Sequence, residues 1–175
     1  MAAALLLGVA SQRVNTVEGT ARPAPGEDPN LAVLTRCVHE HEDLRGLDLD
    51  GVRVGPLIKD STGDRIFGLT TDRTFIDCGD VGGTSSRPLS VPPPEEKARF
   101  AGKSHTLHAP VIVGYGQVAR DVARLDAVLP DGKVVKTEIA GGLFAFVTDG
   151  TDPSVDIVLR AYDKAGDLIY ESEPS

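Results

Sequence analysis

Tryptophan is absent from this 175-residue chain, methionine occurs once, and aromatic residues make up 5%. A core with so few rings must be filled mainly by Val, Leu, Ile and Ala. No cluster of Lys and Arg stands out, and the formal net charge is -8. That sign repels a phosphate backbone, so a nucleic-acid partner is not expected. No apolar run approaches the roughly 20 residues needed to span a bilayer. G-x-S-x-G, H-E-x-x-H and the P-loop are also missing, and with them the commonest signatures of acyl transfer, zinc proteolysis and phosphate cradling. The carboxylates are scattered and offer no acid/base pair, and Ser85 and Ser86 lie in a Gly/Ser loop without a base nearby. No internal repeat occurs.

What is present describes a globular protein. Hydrophobic residues are 41% and charged residues 25%, enough for one ordinary domain or two small ones. The chain begins "MAAALLLGVASQ". Ala2 to Ala10 fits the apolar part of a signal peptide, with Gly8 and Ala10 placed like a cleavage site. A basic leader does not precede it, so residues 1–28 are expected to be a signal or membrane-anchor remnant and a tether. Pro23, Pro25 and Gly26 suit that tether. The expected localisation is extracytoplasmic, either secreted or membrane-anchored.

Asp28-Pro29 reads as an N-cap followed by proline at the first helical position. Leu31, Leu34, Val38 and His41 recur at helical spacing, which predicts a helix ending before Gly46. From Gly51 the period becomes two. "VRVGPLIKD", "RIFGLTT" and "TFIDC" are strand candidates, separated by Ser61-Thr62-Gly63-Asp64 and Asp72-Arg73. Residues 29–80 should therefore be a helix covering a β-meander, since a bare three-stranded sheet is unstable. Residues 81–104 are rich in Gly, Ser and Pro and read as a long loop or linker. Residues 105–172 return to short strands: "TLHAPVIVGYG", "ARLDAVL", "KVVKTEI", "LFAFV", "VDIVLRAYD" and "LIYES". Gly/Asp turns divide them, as in an antiparallel, immunoglobulin-like β-sandwich. The fold class expected is mainly β with one N-terminal helix.

"VIVGYGQVARDVARL" raises a competing reading. Gly114-x-Gly116-x-x-Ala119 after apolar β-formers matches the dinucleotide fingerprint, and Glu138 lies at a distance suited to a ribose hydroxyl. By this motif the chain also resembles the nucleotide-binding domains of potassium-transport regulators. The alternative function is thus an NAD(P)-binding oxidoreductase. Against it, only 37 residues follow Glu138, and none of them shows helical period. "ARLDAVL" alternates like a strand, and "PDG" reads as a hairpin turn. On this second reading the two glycines mark a strand bend or bulge. The discriminating feature is whether residues 117–129 are helix or strand.

"GYGQVARDVARLDAVLPDGKVVKTEIAGGLFAFV…IVLRAYDKAGDLIYE" resembles the C-terminal part of a group of exported or membrane-anchored actinobacterial proteins with an immunoglobulin-like β-sandwich. The Cys37 helix and "TTDRTFIDC" resemble their front half. The likeness spans about Leu31 to Glu171 and consists of turn and strand patterns. It implies an extracytoplasmic β-rich fold and carries no catalytic residues.

Cys37 and Cys78 are the only cysteines. In an exported chain they should pair, tying the helix to the third strand of the meander. The alternative is a small metal-dependent hydrolase. Cys37 and His41 share a helical face, and Cys78 with Asp77 or Asp80, or His105 and His108, could complete a site. Asp149, Asp152 and Asp156 could hold calcium but lack the ligand spacing of an EF-hand loop. His39, Glu40, Glu42 and Asp43 read as a solvated helix face. The function expected is a non-enzymatic interaction or sensing module for a protein or cell-surface ligand, with no cofactor.

Overall fold

A computed structural model describes residues 28–60, 63–79, 84–106, 109–150 and 152–174. The expected signal or anchor remnant and its tether lie outside these residues, Asp28 apart.

Among the described residues there is one α-helix, one 3-10 turn and twelve strands, all paired antiparallel. The helix α1 spans Pro29–Glu40. Asp28 accepts a hydrogen bond from the Asn30 N–H, and Pro29 opens the first turn. Both start signals act as expected. The end differs. His41 leaves helical geometry, the chain tightens into a 3-10 turn at Glu42–Leu44, and Gly46 follows at φ +93°.

The first sheet has the order β1-β2-β3-β4, formed by Arg53–Asp60, Gly63–Leu69, Thr74–Gly79 and Ser85–Pro88. Alternation gives it two apolar faces. Ile66, Ile76 and Cys78 face the helix and bury Leu34, Val38 and Leu44. Phe67, Leu69 and Phe75 face the other way.

The second sheet has the order β5-β6-β10-β9, from Ala98–Thr106, Ala109–Val118, Leu143–Asp149 and Glu138–Ala140. The third has the order β12-β11-β7-β8, from Leu168–Glu171, Val158–Tyr162, Arg124–Val128 and Val134–Lys136. The second sheet is central. Val111, Val113, Tyr115, Leu143 and Ala145 share a core with Phe67, Leu69 and Phe75 of the first sheet. On its opposite face Val118, Phe144 and Phe146 share a core with Leu125, Ala127, Leu159 and Ala161 of the third.

Three details depart from the sequence reading. Residues 81–104 are not simply a linker, because β4 and the start of β5 lie within them. The two units expected on either side share one core, since β6 and β10 are apolar on both faces and each face is covered. "KVVKTEI" is not one strand. It leaves the third sheet as β8 and joins the second as β9, turning at Thr137, whose N–H and Oγ1 both donate to the Leu125 carbonyl at 3.2 and 2.9 Å.

Candidate functional site

Cys37 on α1 and Cys78 on β3 form a disulfide, with Cα atoms 6.2 Å apart. The helix must approach β3 there because Leu34 and Val38 are buried beside Cys78. Both sulfurs are consumed by that bond and cannot ligate a metal. This overturns the Cys37/His41/Cys78 metal alternative, and His41 serves as the C-cap of α1. Asp77 is buried between sheets. Asp80 and His108 lie outside the described residues, as does the side chain of His105. Among the described residues no group of three or more His, Cys, Asp and Glu side chains could hold a metal ion. Asp152 caps the Ser154 N–H at 2.9 Å, and Asp149 is 3.9 Å from Lys133 Nζ. Asp156 is exposed. Ser85 and Ser86 are exposed on β4.

The glycine fingerprint takes no turn geometry. Gly114 and Gly116 lie inside β6, and residues 117–129 contain the end of β6 and all of β7, with no helix among them. A dinucleotide turn needs a strand-to-helix junction whose backbone faces the pyrophosphate. Here the glycines are opposite Phe146 and Phe144 on β10, in unbroken register. A Cβ at Gly114 would lie 2.2 Å from the Phe146 ring, and one at Gly116 only 2.0 Å from the Arg99 carbonyl oxygen. The expected bulge exists, but on the neighbouring strand. Ala101 is the extra residue of β5, opposite the Gly116/Tyr115 step of β6. Ala119 lies just beyond β6, and Glu138 is exposed on β9. These positions do not come together as a dinucleotide turn, so the fingerprint reading of Gly114, Gly116, Ala119 and Glu138 is overturned.

Two clusters emerge that local sequence did not show. The first is enclosed between the first and second sheets. Arg65 Nε is 3.2 Å from Asp77 Oδ1, with each side chain 5% exposed. Arg65 Nη1 donates to Ser104 Oγ at 2.9 Å, and Arg87 Nη2 donates to the Tyr115 hydroxyl at 3.0 Å. Gly102 makes room for this, since a Cβ there would be 2.2 Å from Arg87 Nη2. The Tyr115 ring stacks on Phe67 and Phe75 at 5.1 and 5.4 Å between centroids. Burial outweighs Arg65 and pushes the Asp77 carboxyl above the ordinary range. Burial, reinforced by the Asp77 charge, pushes Tyr115 up to about 12.

The second cluster is an open cleft of about 260 Å³. Arg53 of β1, Arg73 of the β2–β3 turn, and Lys97, Arg99 and Arg120 line it, with Gln117 and Gly142. Pro92, Pro93 and Pro94 form one wall. Two of the cations are neutralised: Lys97 is 2.7 Å from Asp121, and Arg99 forms a fork to Glu96. Among the described residues no carboxylate pairs with Arg53, Arg73 or Arg120. Partial desolvation in the cleft, then the charges of Arg73 and Arg120, lowers the Arg53 pKa although its side chain remains exposed.

Arg73 is the fixed point of the cleft. Its backbone is left-handed at φ +69°, which costs about 1 kcal/mol or more for a residue with a Cβ. Its guanidinium donates to the Leu89 and Ser90 carbonyls at 3.0 and 2.7 Å and to Gln117 Oε1 at 3.1 Å. Gly142 sits at φ +74°, and a Cβ there would be 2.9 Å from Arg53 Nη1. No family model matches the chain, and neither a curated protein nor a solved structure matches it. No local pattern marks the cleft, because its cations come from four separated stretches. Among the described residues no helix is long and apolar enough to cross a membrane.

Proposed function

We propose that this chain is a non-enzymatic extracytoplasmic interaction or sensing module. The observation that carries the reading is the Cys37–Cys78 disulfide, which joins α1 to β3 across a separation of 41 residues. A structural disulfide persists in oxidising compartments and is rare in the cytosol. The strand order supports an immunoglobulin-like assignment for residues 98–171. The orders β5-β6-β10-β9 and β12-β11-β7-β8 correspond to A-B-E-D and G-F-C-C′ of such sandwiches, with β5 taken as strand A. Sandwiches of this kind serve many cell-surface proteins as binding scaffolds, although fold alone assigns no partner. The actinobacterial likeness around "LPDGK" and "AYDKAG" agrees with export.

Protein isolated from its native host should show no free thiols when denatured without reductant. Protease added to intact cells should digest it. Two free thiols, or protection from protease, would overturn the compartment. Thermal shifts with NAD(H) and NADP(H) should not exceed those given by equal concentrations of inorganic pyrophosphate, and zinc should give none; stabilisation by several degrees beyond the pyrophosphate control, or by zinc, would overturn the non-enzymatic reading.

A further inference from the structure

We infer that the cleft lined by Arg53, Arg73 and Arg120 binds one small oxyanion group, a phosphate, sulfate or carboxylate. This deepens the binding-module reading and rests on it only for its biological use. The charge distribution argues first. The chain carries a net -8, yet three guanidinium groups line one cleft without a carboxylate partner among the described residues. Lys97 and Arg99 in the same cleft do have carboxylate partners, so the region can recruit acids where neutralisation suffices. Like charges held together repel, and an anion between them removes that repulsion.

Preorganisation argues second. Three hydrogen bonds anchor the Arg73 fork, while all its acceptors are neutral, so its full positive charge stays in the cleft. Arg53 lies across Gly142 where a side chain would obstruct it. The anchoring bonds of Arg73 occupy its Nε and Nη2, so Arg73 offers its charge and Nη1, while the guanidinium forks of Arg53 and Arg120 match the two-oxygen edge of phosphate, sulfate and carboxylate. Size and surroundings argue third. A cleft of about 260 Å³ walled by three prolines suits a single anionic group. The acidic remainder of the protein disfavours a polyanionic chain laid across it.

The test is an NMR titration of the whole chain with inorganic phosphate, sulfate, acetate and succinate, at ionic strength held constant with sodium chloride. At least one oxyanion should give saturable shifts at the amides of Gln117 to Arg120 and Gly142. The responding anion identifies the group: phosphate or sulfate for a tetrahedral head, acetate or succinate for a carboxylate. The double variant Arg53→Ala/Arg120→Ala removes two exposed side chains and should still fold. It should weaken binding by roughly tenfold or more, as losing charge-assisted partners requires. A matched control, Lys136→Ala/Lys164→Ala, removes two exposed cations outside the cleft and should leave the affinity unchanged. Shifts that never saturate beyond the chloride baseline, or an affinity undiminished in the Arg53/Arg120 variant, would overturn the proposal. Free thiols in the native protein would overturn the compartment reading and leave this site standing.

Discussion

Tyr115 sits where an aromatic stack meets a buried charge cluster, and its hydroxyl carries the conflict between them. The ring belongs to the core of Phe67 and Phe75, while the oxygen accepts from Arg87 and faces the charge of Asp77. Its pKa in the folded chain is about 12, against an ordinary value of 10.0. The folded state therefore keeps a proton that the unfolded chain releases as pH rises between these values. Stability tied to Tyr115 is fully present below about pH 10 and is lost as pH climbs through about 12, a change of about 2 to 3 kcal/mol. Urea midpoints measured across that window should fall steeply for the native sequence. Tyr115→Phe should flatten most of this slope while lowering stability at neutral pH, because Arg87 loses its acceptor. Tyr170, whose pKa burial also raises, should leave a shallower residual slope. An unchanged slope in the variant would contradict the enclosure of Tyr115.

The helix and the first sheet are joined at the scale of elements by one covalent bond. Closing a loop of 41 residues stabilises by about 4 kcal/mol when the unfolded chain is the reference. Cys37→Ser/Cys78→Ser should lose roughly that much in denaturant unfolding, and the 29–40 amides should lose hydrogen-exchange protection first. Equal loss of protection across all three sheets would contradict this ranking. The elements most legible in the sequence were those with local signals. Asp28-Pro29 marked the helix start, Asp72-Arg73 and Pro130-Asp131-Gly132 marked turns, and period-two runs marked β1 to β3 and β7. Legibility failed where the signal was split. Ala101 bulges out of β5, so Phe100 and Gly102 fall on opposite faces and the alternation breaks. Ser85–Pro88 is a short edge strand of polar residues, and an edge is one of the few places in a sheet that tolerates proline. The cationic cleft was invisible for the same reason on a larger scale, since Arg53, Arg73 and Arg120 become neighbours only after the sheets stack.

At the scale of the molecule, the central sheet decides how the chain unfolds. Its β6 and β10 strands are covered by the first sheet on one face and by the third on the other. Removing either cover exposes a row of Val, Leu and aromatic side chains. Calorimetry of the whole chain should therefore give a single cooperative transition, and a fragment beginning at residue 89 should bind hydrophobic dyes or self-associate. Two separated transitions, or a well-behaved monomeric fragment, would mean that the halves are energetically independent. The paired volumes within the central sheet carry a further implication. Gly114 is empty because Phe146 fills its space, and Gly116 is empty partly because Phe144 does. Each glycine and its phenylalanine act as one word spelled across two distant stretches of chain. A reader who meets only the first letters sees a familiar phosphate-binding phrase. Its meaning arrives a strand later, when the rings lie down over the gaps.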